Sequence, residues 1–222
     1  MKMVVVTGST RGIGLGLAEN FLIRGCRVVV TSRKAEDVER VVQDLGSEHG
    51  TEKVSGIASD ISDISSLQSL WDFSVAEFGS VDVWINNAGI NIDRAPLWEQ
   101  SAQDLKNIVD TNLTGLLYAC KVAMSGMRQQ GHGQIWNMEG FGSNGMAQAG
   151  MVAYGATKRA VNYLNKALRK DTADTGIQVC TLSPGMVVTD LLIGEYDTSS
   201  EEWQRVKKMF NILADKVETV TR

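Results

Sequence analysis

The chain is poor in cysteine, histidine and proline, and each shortage excludes something. Its three cysteines, Cys26, Cys120 and Cys180, lie far apart with no CxxC pair, and an odd number cannot pair fully within one chain. A disulfide framework is therefore excluded in favour of reduced thiols packed in a core. The two histidines, His49 and His132, sit beside glycines in expected loops, too few and too scattered to hold zinc. No metal site is expected. With only two prolines, the composition is not that of a collagen-like or disordered chain. No apolar run approaches the ~20 residues that span a bilayer. The chain opens directly on the apolar stretch Met3–Val6, with no charged leader, signal core or transit-peptide pattern. A cytoplasmic location is expected, with the plastid stroma as the alternative if a transit peptide has been removed. Positive charge is also scarce. Twenty-two basic against 26 acidic residues give −4, and the longest basic run is Lys207-Lys208. Nothing here forms an electrostatic footprint for nucleic acid or an anionic membrane.

What is present is an ordinary globular composition, 43% hydrophobic and 22% charged, in 222 residues. A chain of this length buries about 70% of its unfolded surface, enough for one large core without staples. Short apolar runs at 3–6, 27–31, 54–58, 81–86, 134–137 and 178–182 read as strands buried on both faces. Helical stretches of about 12 to 25 residues separate them. These start near Gly12, Ala35, Asp63, Ser101 and Met151, and a sixth runs from Glu201 to about Thr219. The sixth carries an apolar stripe of Trp203, Val206, Phe210, Leu213 and Val217. Ser101 with Asp104, and Ser199 with Glu202, have capping-box spacing. Strict β-α alternation with right-handed crossovers predicts a parallel sheet covered by helices on both faces. No linker or repeat divides it. Ligands of such sheets bind beyond the carboxyl ends of the strands.

After the first strand comes Thr7-Gly8-Ser9-Thr10-Arg11-Gly12-Ile13-Gly14, leading into a helix. Glycines at a strand-to-helix turn let the backbone approach a pyrophosphate where free N–H groups and the helix dipole favour anions. A tight turn with no ligand is the plainer alternative. The spacing is TGxxxGxG, and further motifs follow in chain order: Asp60-Ile61, Asn86-Asn87-Ala88-Gly89, Asn112, Tyr154-Gly155-Ala156-Thr157-Lys158, and Ser183-Pro184-Gly185 with Thr189. This series, spanning residues 3 to about 190, resembles the short-chain dehydrogenase/reductases. The resemblance implies an NAD(P)-binding doubly wound (Rossmann) fold with strand order 3-2-1-4-5-6. It implies one domain over residues 1–222, with a C-terminal loop and helix from about 186 lying over the substrate site. It assigns cofactor contacts to Gly8, Ser9, Thr10, Arg11, Gly12, Ile13, Gly14, Asp60, Ile61, Asn87, Ala88, Gly89, Tyr154, Lys158, Pro184, Gly185 and Thr189. A seventh strand, usual in the family, is absent from the sequence pattern. Either the chain is truncated before it, or the sixth strand is an apolar edge to be covered or paired; a homo-oligomer is expected.

Cofactor choice has its own argument. Sites for NAD(H) hold a carboxylate near the end of the second strand, bonded to the ribose 2′-hydroxyl. Here that strand ends Val30-Thr31-Ser32-Arg33-Lys34, with no acid before Glu36. Arg33 and Arg11 offer guanidinium forks to a 2′-phosphate. NADPH (NADP+) is expected over NADH, unless both arginines are merely solvated.

Tyr154 and Lys158, four apart on a helix, emerge on one face. A phenol near pKa 10 needs a neighbouring ammonium to work near neutrality. In the resembling family this tyrosine gives the proton to the carbonyl oxygen, and the lysine also holds the nicotinamide ribose. Asn112 falls in a stretch, Ile108–Cys120, that otherwise reads as helix. In the family its counterpart relays protons to the lysine, while a buried polar helix contact is the alternative. One motif departs from the family pattern. The family's carbonyl-polarising serine, in N-[IV]-S-S, maps on to Gly140 in Asn137-Met138-Glu139-Gly140-Phe141-Gly142-Ser143. Ser143 is the nearest hydroxyl and is expected to take that role if the glycine-rich loop folds back. This loop resembles that of the chlorophyll(ide) b reductase branch, whose members reduce the C7 formyl group of chlorophyll b. The substrate implied is a carbonyl compound, a chlorophyll-type tetrapyrrole or another ketone, aldehyde or acyl group. A dinucleotide-binding scaffold without turnover is the alternative of a different class.

Overall fold

The valines of the first two strands alternate between two cores. In a computed structural model that describes residues 1–185, 187, 189 and 214–221, β1 is Met3–Thr7 and β2 is Arg27–Thr31. Met3, Val5 and Val29 point into one apolar layer, and Val4, Val6, Val28 and Val30 into the other. A period of two with both faces apolar is what a parallel strand between helical layers requires. The strands β3 (Val54–Gly56), β4 (Val83–Asn86), β5 (Gly133–Met138) and β6 (Ile177–Leu182) complete a sheet in the order β3-β2-β1-β4-β5-β6. All pairings are parallel.

On one face lie α1 (Gly12–Ile23) and α2 (Ala35–His49), covering the valines through Leu17, Ala18, Leu22, Val38, Val41 and Leu45. On the other lie α3 (Ile64–Phe78), α5 (Leu116–Gln130) and α6 (Val152–Asp171), contributing Leu67, Leu70, Trp71, Ala119, Ala123, Met127 and Val161. Trp71 of α3 stacks on Trp84 of β4 with ring centroids 6.1 Å apart. Of the expected capping box, the Ser101 side-chain cap is present. Ser101 Oγ accepts from the Asp104 N–H at 3.0 Å and donates to the Asp104 carboxylate at 2.7 Å, starting α4 (Ala102–Val109).

The structure corrects four expectations. The helix expected to run on from Ser101 is two α-helices, because Asp110–Gly115 between α4 and α5 is a π segment. One extra residue per turn there leaves Asn112 aimed at the loop after β4. His49 ends α2 instead of lying in a loop. The third strand stops at Gly56, and the Thr31 hydroxyl then donates to the Ile57 carbonyl at 2.6 Å. Near the C-terminus, Ala214–Lys216 are not helical: Asp215 forms an isolated parallel bridge with Val187, and Val217–Val220 is a separate turn of helix. That turn rests on α1, where the Asn20 amide donates to Thr221 Oγ1 at 3.2 Å. The remainder of the expected sixth helix, with its Ser199–Glu202 cap and most of the segment expected over the substrate site, lies outside the described residues.

Candidate functional site

A cleft of about 760 Å³ opens at the carboxyl ends of β1, β2 and β4, where the strand order reverses. Its floor is the turn between β1 and α1. Gly8 and Gly12 adopt φ of +63° and +55°, and a Cβ on Gly14 would collide with the Gly8 carbonyl and lie 2.5 Å from Asn87 Nδ2. Only glycine lets the chain fold this tightly. No side chain caps α1 at Arg11, and its first turn holds no acidic residue. An anion is favoured at such a helix start. The neighbouring loop is fixed by Thr7, whose Oγ1 accepts from the Asn87 and Ala88 N–H groups, both at 3.1 Å. Asn87 Nδ2 donates to the Thr7 and Gly8 carbonyls at 2.9 and 3.0 Å. These observations fit a dinucleotide with its pyrophosphate over α1.

Of the expected cofactor residues, Gly8, Thr10, Arg11, Gly12, Ile13, Gly14, Arg33, Asp60, Ile61, Asn87, Ala88, Gly89 and Thr189 line this cleft. Ser9 does not. It is fully buried, its N–H donates to the Thr31 carbonyl at 3.0 Å, and its Oγ bridges the Val6 carbonyl and the Thr31 N–H at 2.7 and 2.9 Å. Pro184 and Gly185 lie in the loop after β6, with Gly185 at φ +77°. Arg11 and Arg33 are exposed. Lys34 and Arg40 join them in the lining, and so does Asp37, which pairs with Arg40 at 3.1 Å. Sequence reading missed Arg40 and Asp37 because they enter from the first two turns of α2 and not from the strand end.

The other end of the site is built by β5, α6 and the π segment. Asn112, 4% exposed, exchanges two 2.8 Å hydrogen bonds with the backbone of Ile90. A Cβ on Gly89 would lie 3.3 Å from Asn112 Oδ1 and 3.9 Å from Lys158 Nζ, so these three groups meet. Lys158 is buried, donates to the Met138 carbonyl at 3.2 Å, and lies 5.8 Å from the centre of the Tyr154 ring. Burial pulls its ammonium from 10.5 down to about 8, and the Glu139 carboxylate opposes that shift. A Cβ added to Gly140 would lie 2.6 Å from the Tyr154 hydroxyl and 3.1 Å from Lys158 Cε. The phenol therefore occupies space that a serine side chain would need. In the same loop Gly142 (φ +94°) packs against Gly155, and buried Ser143 is fixed by its N–H to the Gly140 carbonyl (3.1 Å) and by Arg159 to its own carbonyl (2.9 Å).

Cysteine and histidine take no part in this site. Cys120 lies under the sheet against Asn86 and Asn137, and burial pushes its thiol up to about 12. Among the described residues one group has atoms close enough to share a metal ion, Glu19, Glu48 and His49, where α1 meets α2.

The fold and cleft define a doubly wound dinucleotide-binding protein. The family described as short chain dehydrogenase matches residues 2–200, and the chain belongs to it. This is a family of NAD(P)-dependent oxidoreductases. The chain is 41% identical, over 98% of its length, to the chloroplastic chlorophyll(ide) b reductase of Oryza sativa subsp. japonica, of which it covers 63%. It is 39% identical over its whole length to the "Probable chlorophyll(ide) b reductase", chloroplastic, of Arabidopsis thaliana, of which it covers 47%. The chain thus spans about half to just under two thirds of the length of these relatives. The closed form of a serine dehydrogenase complexed with NADP+ superimposes with a TM-score of 0.85 at 28% identity, covering 99% of this chain and 86% of that one. No helix among the described residues is long and apolar enough to cross a membrane.

Proposed function

We propose that this chain is an NADPH-dependent carbonyl reductase whose substrate is the C7 formyl group of a chlorophyll b-type tetrapyrrole, reduced to hydroxymethyl. The observation that carries the reading is that Lys158, with Tyr154 beside it, and Asn112 meet at Gly89, which lines the cleft whose far end is basic. The turn Gly8–Gly14 would hold the pyrophosphate, and Arg11, Arg33 and Arg40 the 2′-phosphate, with Asp37 neutralised by Arg40. The bound cofactor supplies the hydride to the carbonyl carbon. Tyr154 delivers the proton to the carbonyl oxygen. Lys158, still charged at neutral pH, stabilises the phenolate left behind and holds the ribose. Asn112 orders the Ile90 loop beside that lysine and relays protons, and Ser143 supplies the displaced donor to the carbonyl.

For such a substrate the compartment is the plastid stroma, and the two relatives named above are chloroplastic. The expected self-association is supported by apolar side chains exposed on α4, α5 and α6: Val109, Leu117 and Tyr163. Loss of NADPH absorbance is the direct test, against a panel holding chlorophyllide b, small aldehydes, ketones and 3-oxoacyl thioesters. Turnover of chlorophyllide b is the expected result. Turnover of another member alone replaces the substrate and keeps the mechanism. Tight NADPH binding with no turnover of any member leaves a scaffold.

A further inference from the structure

A helix laid on a parallel sheet ordinarily presents apolar side chains to it. The inner side of α6 also carries a polar row. Lys158, Asn162, Asn165 and Arg169 recur at spacings of four, three and four, so they share one face. Each reaches the sheet. Lys158 donates to the Met138 carbonyl, Asn162 Nδ2 to Glu139 Oε1 at 3.3 Å, and Asn165 Nδ2 to Thr181 Oγ1 at 3.1 Å. Asn165 also accepts from Asn137 at 2.7 Å, and Arg169 donates to the Val179 carbonyl and to Thr181, both at 2.8 Å. Such a row fixes where α6, and hence Tyr154 and Lys158, stands along the strands.

Among the described residues, Glu139 is the one acid to which this row donates. It follows Met138, the acceptor of the Lys158 ammonium, and precedes Gly140, where the tyrosine hydroxyl lies. Its second oxygen accepts from Ser183 Oγ at 2.5 Å, at the start of the loop that carries Pro184 and Gly185. We propose that Glu139 is a positioning residue acting through Lys158: its carboxylate ties β5 to α6 and to the loop after β6, and serves the buried ammonium as counter-charge. The inference rests on the placement of Lys158 in the site, not on the identity of the carbonyl substrate. The Glu139 carboxylate accepts from the Asn162 amide and the Ser183 hydroxyl, with the Lys158 ammonium on Met138 just before it and the Tyr154 phenol at Gly140 just after it. Arg159, the next cation on α6, donates to the Ser143 carbonyl instead. A carboxylate beside a desolvated ammonium favours the charged form, which is the direction in which Glu139 acts on Lys158.

The test needs no carbonyl substrate. Lys158 in the cofactor-free protein is acylated with acetic anhydride across a pH series and read by peptide mass spectrometry, since only the neutral amine reacts. Glu139→Gln keeps the shape and removes the charge. Its midpoint should fall below that of the parent, with about threefold more acylation at pH 7 relative to the alkaline plateau. Glu139→Asp, which keeps the charge, should restore the parent midpoint. NADPH titrated by fluorescence should bind several-fold more weakly to Glu139→Gln, through the loosened Ser183 loop. An unmoved midpoint in Glu139→Gln overturns the proposal, because mere loosening changes access and not the midpoint. If that variant does not fold, Asn162→Ala with Ser183→Ala keeps the carboxylate and cuts its tethers. The midpoint should then fall by a smaller amount, and an unchanged one overturns the proposal equally. Failure of chlorophyllide b to turn over leaves all of these readings intact.

Discussion

The two ends of the cleft are built by opposite means. At the adenosine end, exposed cations after β2 and on α2 stand in the open around a glycine turn. At the catalytic end, buried groups are held by backbone carbonyls, a π segment and the missing side chain of Gly140. The first end presents charge, which a sequence displays directly. The second depends on tenths of an ångström, which it does not. Mutations at the adenosine end should therefore alter affinity and spare turnover, and a mutation at the catalytic end that leaves Lys158 and the Ser183 loop in place should do the reverse.

The largest expected effect is at Tyr154. Tyr154→Phe removes one oxygen, so turnover should fall by about 10² or more while NADPH affinity and the melting temperature stay as they are. Weakened NADPH binding in that variant would erase the division between the ends. Next comes Arg33→Ala, expected to weaken NADPH by about 1.5–3 kcal/mol and leave NADH unchanged, read by fluorescence titration with both cofactors. Equal losses for the two would mean that Arg33 does not meet a 2′-phosphate. Gly140→Ser then sharpens the contrast, since it restores the family's serine. Because its Cβ would lie 2.6 Å from the Tyr154 hydroxyl, turnover should drop about tenfold and stability by about 1–3 kcal/mol. A gain in turnover would show that the phenol moves aside. Smallest is Ser101→Ala, away from both ends, which removes the α4 cap and should lower unfolding free energy by about 1 kcal/mol in denaturant titration, with kinetics untouched.

The legibility of the chain follows the same division. Six strands were readable because valine-rich runs alternate with helices, their order followed from the family resemblance, and Ser101 announced α4 by its side chain. The glycine turn and Arg33 were readable because their chemistry depends on residue type. Ser9 looked like part of that turn, yet it is spent on joining β1 to β2, a choice made by a neighbouring strand that its own segment does not display. Gly140 stood out as a missing serine, but its meaning lay in where Tyr154 comes to rest. Asn112 was conspicuous inside a helix, and the helix proved to be broken around it. Glu139 gave no signal, since one glutamate among many polar residues acquires a role only when α6 and the β6 loop close on it.

The π segment at Asp110–Gly115 also sets an angle. A helix is a screw, and each residue turns it by about 100°. Because the widened turn absorbs one residue, everything downstream falls behind by about that amount relative to an unbroken α-helix of the same sequence. The side on which Ala119, Ala123 and Met127 meet the sheet thus depends on those six residues. Removing a single residue there would restore a regular thread and keep that apolar stripe on the sheet, at the expense of the bulge that turns Asn112 toward Ile90.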